Sequence, residues 1–235
     1  RVFERNKNKK IKITEEEKML YQKEREEMCE VVKVMFDRDL TNAAGGNLSE
    51  RMNKEHFIMT PTLMAQQQLC KLEPEDILVV DKELNVIEGR GKVTREINMH
   101  MAIYEVSDSV KTVIHAHPKE AMVFACLGLE IEHLCENTVK LGKVETLPFS
   151  TATTEELAKT VKDYMTKRKD ELEKHPIAAL LNKHGIILAD KSGLKAAYDV
   201  LERIEYEAYV NIQAKLLRLT EHIDLSDDRK LNYNM

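Results

Sequence analysis

The sequence is poor in cysteine and has no cysteine pair of the kind that holds a metal or a redox centre. Its four cysteines are Cys29, Cys70, Cys126 and Cys135, and no two of them form a C-x-x-C motif. Their spacing also describes no disulfide framework. A disulfide-stabilised extracellular protein is therefore not expected, and we predict a cytoplasmic location.

Long hydrophobic runs and an excess of basic charge are also missing. No apolar stretch approaches the roughly 18 residues that a membrane-spanning helix needs, and the N-terminal segment is too polar for a secretory signal. The net charge is −5, which does not favour nucleic-acid binding. The 235 residues are 43% hydrophobic, enough for a substantial core. We predict one domain over 1–235, with flexible ends at 1–13 and 220–235.

What the sequence does contain is a mixture of helical and strand-like patterns. Helices are predicted over 14–39, 94–106, 118–126, 154–169 and 192–219, and strands over 56–60, 77–80, 86–87, 112–116, 144–147, 177–181 and 186–189. Thr14 and Thr94 are predicted helix caps, and Thr153 with Glu156 forms a capping-box pattern. This irregular order favours an α/β fold with a mostly antiparallel or mixed sheet.

Three histidines form a candidate metal site. His115 and His117 lie two residues apart at the end of an apolar strand, so their imidazoles face the same side. Such a pair is typical of transition-metal sites, although two core or surface histidines are the alternative. His184 lies in a turn between two apolar runs. Three histidines with an open fourth position would be typical of a catalytic metal.

One carboxylate and a fourth histidine lie on the helix predicted before that strand. Glu96 is at its start, where a negative charge stabilises the helix dipole, so simple capping is one interpretation. The other is a role at the metal site. His100 is four residues further on, on the same helix face, and is a rival ligand.

Three loops carry groups suited to a phosphate. The segment 43–49 contains the pair Gly45 and Gly46, which allows close approach to backbone N–H groups. The segment 60–62 carries threonine hydroxyls, and 92–95 adds two cations and a hydroxyl directly before Glu96. These loops could surround a phosphoryl group, but spacing alone does not require them to meet.

Taken in order, these motifs resemble those of the class II aldolase and adducin family. They are Gly46-Asn-Leu-Ser49, Met59-Thr-Pro-Thr62, Thr94-Arg-Glu96 with His100, His115-Ala-His117 and Lys183-His-Gly185. The likeness covers most of the chain and is strongest to the fuculose-phosphate type of sugar-phosphate aldolase. It implies a three-layer αβα fold with a central, mostly antiparallel sheet.

The resemblance assigns roles to the metal-site residues. It implies one Zn²⁺ per subunit, held by His115, His117 and His184. Glu96 would bind the metal at rest and then move away to act as the general acid/base. Related epimerases have Asp at this position, so Glu96 favours an aldolase. Tyr233 is predicted to match a catalytic tyrosine near the C-terminus of the aldolases.

The resemblance also implies a phosphate site, formed by Gly45, Gly46, Asn47, Thr62, Thr94 and Arg95. The chain departs from the family here, because Ala44 replaces a Thr, Leu63 a Gly and Arg95 a Ser. Arg95 still suits phosphate as a bidentate donor. The aldolases also place a tyrosine of a neighbouring subunit in a region that here reads His133-Leu-Cys-Glu136. A different aldehyde half of the substrate is therefore expected.

The implied activity is metal-dependent retro-aldol cleavage of a ketose 1-phosphate, such as fuculose 1-phosphate, to dihydroxyacetone phosphate and an aldehyde. A homotetramer with active sites between subunits is implied as well. Other reactions fit the same residues: pentulose-phosphate 4-epimerisation, methylthioribulose-phosphate dehydration and sugar-acid-phosphate decarboxylation. A non-catalytic adducin-like binding module and a purely structural zinc site are further alternatives.

Overall fold

The computed structural model describes residues 19–221. Its α-helices are α1 Gln22–Asp37, α2 Met64–Gln68, α3 Ile97–Val106, α4 Ala121–Leu127, α5 Glu155–Lys167, α6 Lys169–Leu172 and α7 Leu194–Glu221. Its strands are β1 Asn47–Arg51, β2 His56–Met59, β3 Leu78–Asp81, β4 Val86–Glu88, β5 Thr112–Ala116, β6 Glu145–Leu147, β7 Ile177–Leu181 and β8 Gly185–Asp190. Short 3-10 helices occupy Pro74–Asp76 and Glu136–Leu141.

The strands form one mixed sheet of eight strands in the order β4-β3-β2-β1-β5-β8-β7-β6. Every neighbouring pair is antiparallel except β6 and β7, which run parallel. The predicted α/β fold with a central, mostly antiparallel sheet is therefore confirmed. The central strands β5 and β8 are buried at every position, as expected for strands covered on both faces.

Alternation along the strands divides the core into two layers. On one face Ile114 and Leu188 pack with residues of α1, α4 and α7. On the other face Val113 and Ile187 pack with residues of α3 and α5. Because strand side chains alternate, His115 lies on the same face as Val113, towards α3. The hydrophobic pattern of β5 thus directs the first candidate metal ligand towards the helix that follows Glu96.

Two predicted helix caps are wrong. The capping box was expected at Thr153, but Thr153 has a positive φ of 67° and Thr154 is the N-cap of α5. The Thr154 hydroxyl accepts from Leu157 N at 3.2 Å. Thr94 does not cap α3 either, since that helix begins at Ile97 after Glu96. Adjacent threonines offer the same hydroxyl, and backbone conformation decides between them.

Several other boundaries shift or lie outside the described residues. Helix α1 begins at Gln22, and the predicted cap Thr14 precedes the described part of the chain. Helix α4 begins at Ala121, three residues after Pro118. Strand β1 and helix α2 were not predicted. The predicted hairpin after 177 is confirmed as β7 and β8. The expected end segments 1–13 and 220–235 fall almost wholly outside the described residues.

Among the described helices, none combines the length and apolar character that crossing a membrane requires.

Candidate active site

The three candidate histidines converge because β5 pairs with β8. In this antiparallel register His115 lies opposite Ile187, and Ala116 lies opposite Ile186. The turn between β7 and β8 therefore comes next to the end of β5 and carries His184 to the histidine pair. One ring nitrogen from each of His115, His117 and His184 lies within 4.8 Å of the others. Among the described residues, this is the group of His, Cys, Asp and Glu side chains suited to a metal ion.

Glycine permits this close approach. A Cβ added at Gly185 would lie 2.4 Å from Ala116 O and 2.6 Å from His117 Cδ2. A Cβ at Gly46 would lie 2.8 Å from Thr41 Oγ1 and 3.0 Å from His115 O. Both distances are below normal contact, so each glycine lets a backbone segment pack directly against the end of β5.

Glu96 faces the histidines from the N-terminus of α3. Its Oε2 is 3.3 Å from His115 Nε2, and its Oε1 is 3.0 Å from His184 Nε2. Asn47 Nδ2 donates to Oε2 at 2.8 Å. Glu96 caps no backbone N–H of α3 with its side chain. The carboxylate is therefore turned to the histidines, and the interpretation of Glu96 as a simple helix cap does not hold.

Burial favours the neutral form of the His115 and His117 imidazoles, which is the form that binds metal ions. It lowers the pKa of His115, and together with His115 and His184 it lowers the pKa of His117 to about 3. Neutral imidazole offers a nitrogen lone pair to a metal ion. Burial raises the pKa of Glu96, but His115, His184 and Asn47 lower it more, so the net pKa lies well below the usual value. The site therefore combines neutral His115 and His117 with an ionised carboxylate.

The donor spacing fits one shared metal ion. His115 Nε2 and His117 Nε2 are 3.1 Å apart, and ligand atoms on one tetrahedral ion with bonds of 2.0–2.1 Å lie about 3.3 Å apart. His115 Nδ1 lies 2.9 Å from Ile186 O. That carbonyl only accepts, so Nδ1 carries the proton and Nε2 presents its lone pair to the cluster. His184 Nδ1 is buried without a hydrogen-bond partner in the described chain.

A cavity of about 410 Å³ opens beside this cluster. Its walls include Glu96, His117 and His184. All six residues predicted for the phosphate site also line it: Gly45, Gly46, Asn47, Thr62, Thr94 and Arg95. Two contacts bring the loops together: Thr60 N donates to Leu48 O at 3.0 Å, and Thr62 N donates to Lys92 O at 2.9 Å. The three loops thus meet at one cavity, which spacing alone did not require.

The predicted rival ligand His100 falls outside the cluster. Both ring nitrogens of the fully buried His100 are engaged, Nε2 with Asn47 Oδ1 at 2.6 Å and Nδ1 with Ser49 Oγ at 2.7 Å. It is therefore not a rival metal ligand. Tyr233 lies outside the described residues.

Sequence reasoning missed two features of the cavity. Lys183 and Thr153 line its wall, and both have left-handed backbone conformations, with φ of 59° and 67°. The direct contact of Asn47 with Glu96 was also missed. The place of Lys183 at the cavity could have been inferred from the sequence, because Lys183 directly precedes His184. The contact of Asn47 depends on strand register, which no local pattern encodes.

Known proteins share this architecture. The family described as Class II Aldolase and Adducin N-terminal domain matches residues 26–212. A Bacillus thuringiensis serovar kurstaki protein named 5-deoxy-D-ribulose 1-phosphate aldolase is 31% identical over 198 residues, covering 84% of this chain and 88% of the relative. A Haemophilus influenzae protein named 3-oxo-tetronate 4-phosphate decarboxylase is 24% identical over 212 residues, covering 87% of this chain and 95% of that one.

Solved structures agree. A structure titled L-fuculose 1-phosphate aldolase superimposes with a TM-score of 0.71 and 29% identity, over 87% of this chain and 91% of that one. The chain belongs to the class II aldolase and adducin family, as the order of its motifs predicted. The relatives' names include both aldolases and a decarboxylase, so family membership alone does not determine the substrate.

Gly185→Ala is expected to lower the free energy of unfolding by about 1–3 kcal/mol, because the new methyl group overlaps Ala116 and the ring of His117. Urea denaturation measures the loss. Gly142→Ala is the matched control, since its φ is 65° and no atom lies within 4 Å of an added Cβ. It should cost only the backbone strain of about 1 kcal/mol. Equal losses in the two variants would show that Gly185 is not needed for close packing.

Proposed function

We propose that this protein catalyses the metal-dependent retro-aldol cleavage of a ketose 1-phosphate to dihydroxyacetone phosphate and an aldehyde. The observation that carries the proposal is the convergence of His115, His117, His184 and Glu96 on one wall of the cavity. The relatives named as deoxyribulose-phosphate and fuculose-phosphate aldolases support a deoxy-ketose phosphate as the substrate class.

The three histidines would hold the metal, with Glu96 as a further ligand before substrate binds. When bound, the ion acts as a Lewis acid that stabilises negative charge on the substrate's carbonyl oxygen. Zinc suits three imidazoles with an open coordination position. The chain's own contribution is to present three lone pairs from the end of β5 and the turn between β7 and β8, and to exclude bulk water from the buried side of the cluster.

Glu96 is proposed as the group that exchanges a proton with the carbon left on dihydroxyacetone phosphate. A carboxylate at a half-buried position next to the cavity suits general acid/base chemistry. Its Oε2 is held by Asn47, so Oε1, which faces His184, is the oxygen available for the transferred proton. Tyr233 stays a prediction for a second catalytic group.

The phosphate is proposed to bind between the three loops, contacted by Gly45, Gly46, Asn47, Thr62, Thr94 and Arg95. The backbone N–H of Gly46 and the Arg95 guanidinium are suitable donors for phosphate oxygens, and Gly45 allows the phosphate to approach the backbone. Asn47 has two Nδ2 protons, so its contact with Glu96 leaves one for the ligand. Binding energy at the phosphate orients the reacting carbons against Glu96.

Decarboxylation of a sugar-acid phosphate is the second candidate. The relative named as a decarboxylase favours this reaction. A second cation on the cavity wall favours it too, because Lys183 could pair with the carboxylate of a sugar-acid phosphate, a group that a ketose phosphate lacks. Glu96 favours the aldolase over an epimerase, whose relatives have Asp there. We further propose that the protein is a homotetramer, which light scattering of the purified protein would test. Its proposed location is the cytoplasm.

Metal-replete protein is expected to release dihydroxyacetone phosphate from at least one ketose 1-phosphate in a panel of substrates, measured by a coupled dehydrogenase assay. Glu96→Gln should lower kcat by about 10²–10⁴-fold, because the amide cannot carry the proton, while part of the metal is retained. Glu105→Gln, on the exposed face of the same helix, is the matched control. Full turnover by Glu96→Gln would refute the acid/base role, and release of carbon dioxide alone would favour the decarboxylase.

His117→Ala should strip the metal from the purified protein. The variant keeps two imidazoles and the carboxylate, and this set binds an ion less tightly than three imidazoles and the carboxylate do. Elemental analysis gives the metal-to-protein ratio. The control is His133→Ala, since His133 is exposed and far in sequence from the cluster. A ratio unchanged from the parent protein would overturn the proposed ligand set.

A further inference from the structure

A chain of buried polar groups runs from Glu96 into the core between β1 and α3. Asn47 Nδ2 is 2.8 Å from Glu96 Oε2, and Asn47 Oδ1 is 2.6 Å from His100 Nε2. His100 Nδ1 is 2.7 Å from Ser49 Oγ, which is 2.9 Å from the Tyr104 hydroxyl. Apart from Glu96, every member is at least nine-tenths buried. The chain thus joins the proposed acid/base to four buried side chains.

The protons in this chain can be placed from its Glu96 end. An ionised carboxylate only accepts, so the Asn47 amide must turn its NH₂ to Glu96 and its oxygen to His100. His100 Nε2 must then carry a proton and donate to that oxygen. His100 Nδ1 is left as an acceptor, so the Ser49 hydroxyl donates to it. Tyr104 can then donate to Ser49, and all the hydrogen bonds run in one direction, towards Glu96.

The surroundings of His100 favour the single tautomer that this direction needs. The ring is fully buried, and burial lowers the pKa of His100 to about 3. A neutral imidazole has one donor and one acceptor nitrogen. Both are used here by residues of β1: Asn47 accepts from Nε2, and Ser49 donates to Nδ1.

We propose that His100 is a positioning residue that fixes the orientation of the Asn47 amide and, through it, the Glu96 carboxylate. Without the His100 donor, the buried Asn47 oxygen has no partner, which is costly. The amide would gain by rotating, but rotation would place that oxygen against Glu96, where two acceptors repel. Glu96 would then lose the contact that holds its Oε2, and its Oε1 would no longer have a fixed place beside the cavity.

A purely structural role predicts a different outcome. If His100 only fills the core, any substitution lowers stability and leaves the turnover of folded molecules unchanged. The inference of a positioning role rests on the proposed function for its kinetic part, because it concerns the geometry of the proposed acid/base. The arrangement of hydrogen bonds in the resting protein can be measured without any substrate.

Two substitutions at His100 separate these roles. The amide nitrogen of glutamine reaches the place of Nε2 and can donate to Asn47, whereas the shorter asparagine reaches only the place of Nδ1, beside Ser49. His100→Asn should therefore lower kcat by about 10–100-fold, as expected for a group that orients another, and raise KM, because a turned Asn47 amide no longer offers its second proton to the phosphate. His100→Gln should restore most of the turnover. Equal kcat values in both variants and the parent, per folded molecule, would overturn the proposal.

Nuclear magnetic resonance of the metal-replete protein with ¹⁵N-labelled histidine provides the second readout. The parent protein should show His100, assigned by its loss in His100→Asn, as a neutral ring with the proton on Nε2. A proton on Nδ1 would reverse the donor order and overturn the proposal, whatever substrate the enzyme takes. Failure of the parent protein to cleave any ketose 1-phosphate would refute the proposed function, and the tautomer would still decide the role of His100.

Discussion

The antiparallel pairing of β5 with β8 is the constraint on which the site depends. It sets the register that places the turn before Gly185 against Ala116, and so brings His184 to the pair formed by His115 and His117. The pairing is stable because both strands are buried on both faces between two layers of helices. A shift of one residue would turn every side chain of β5 to the opposite face and disperse the histidines.

Strand β1, the other neighbour of β5 in the sheet, supplies the other half of the site. Strand β1 lies beside β5 with Asn47 opposite His115, so Asn47 reaches Glu96 from the same side as the histidines. Glu96 is thereby held between the histidine cluster and a buried polar chain. These two sets of contacts explain how a carboxylate can stay ionised in a half-buried position and still face the cavity.

Much of this organisation could be predicted from the sequence. The order of the motifs predicted the family, the fold class and part of the cavity wall, because each motif keeps a local signature of its chemistry. Contacts that depend on register could not be predicted, such as the role of Asn47 between Glu96 and His100. The prediction of Thr153 as the cap failed for a related reason, since Thr153 and Thr154 have equal side chains and differ only in backbone conformation.

Departures from the family's sequence have visible structural consequences. Leu63, where the resemblance implies glycine, has a φ of 61°, the left-handed conformation that glycine adopts more easily. The region without the expected interface tyrosine is tied to α7 by Glu207, which accepts from Cys135 N at 3.2 Å.

The central claim is that the histidine cluster and Glu96 together exchange a proton on dihydroxyacetone phosphate. It can be tested without knowing the aldehyde, by incubating metal-replete protein with dihydroxyacetone phosphate in heavy water and following the hydroxymethyl signal by ¹H nuclear magnetic resonance. The account predicts that one of the two hydrogens is replaced by deuterium, and that chelation of the metal stops the exchange. No exchange by metal-replete protein, or equal exchange after chelation, would contradict it.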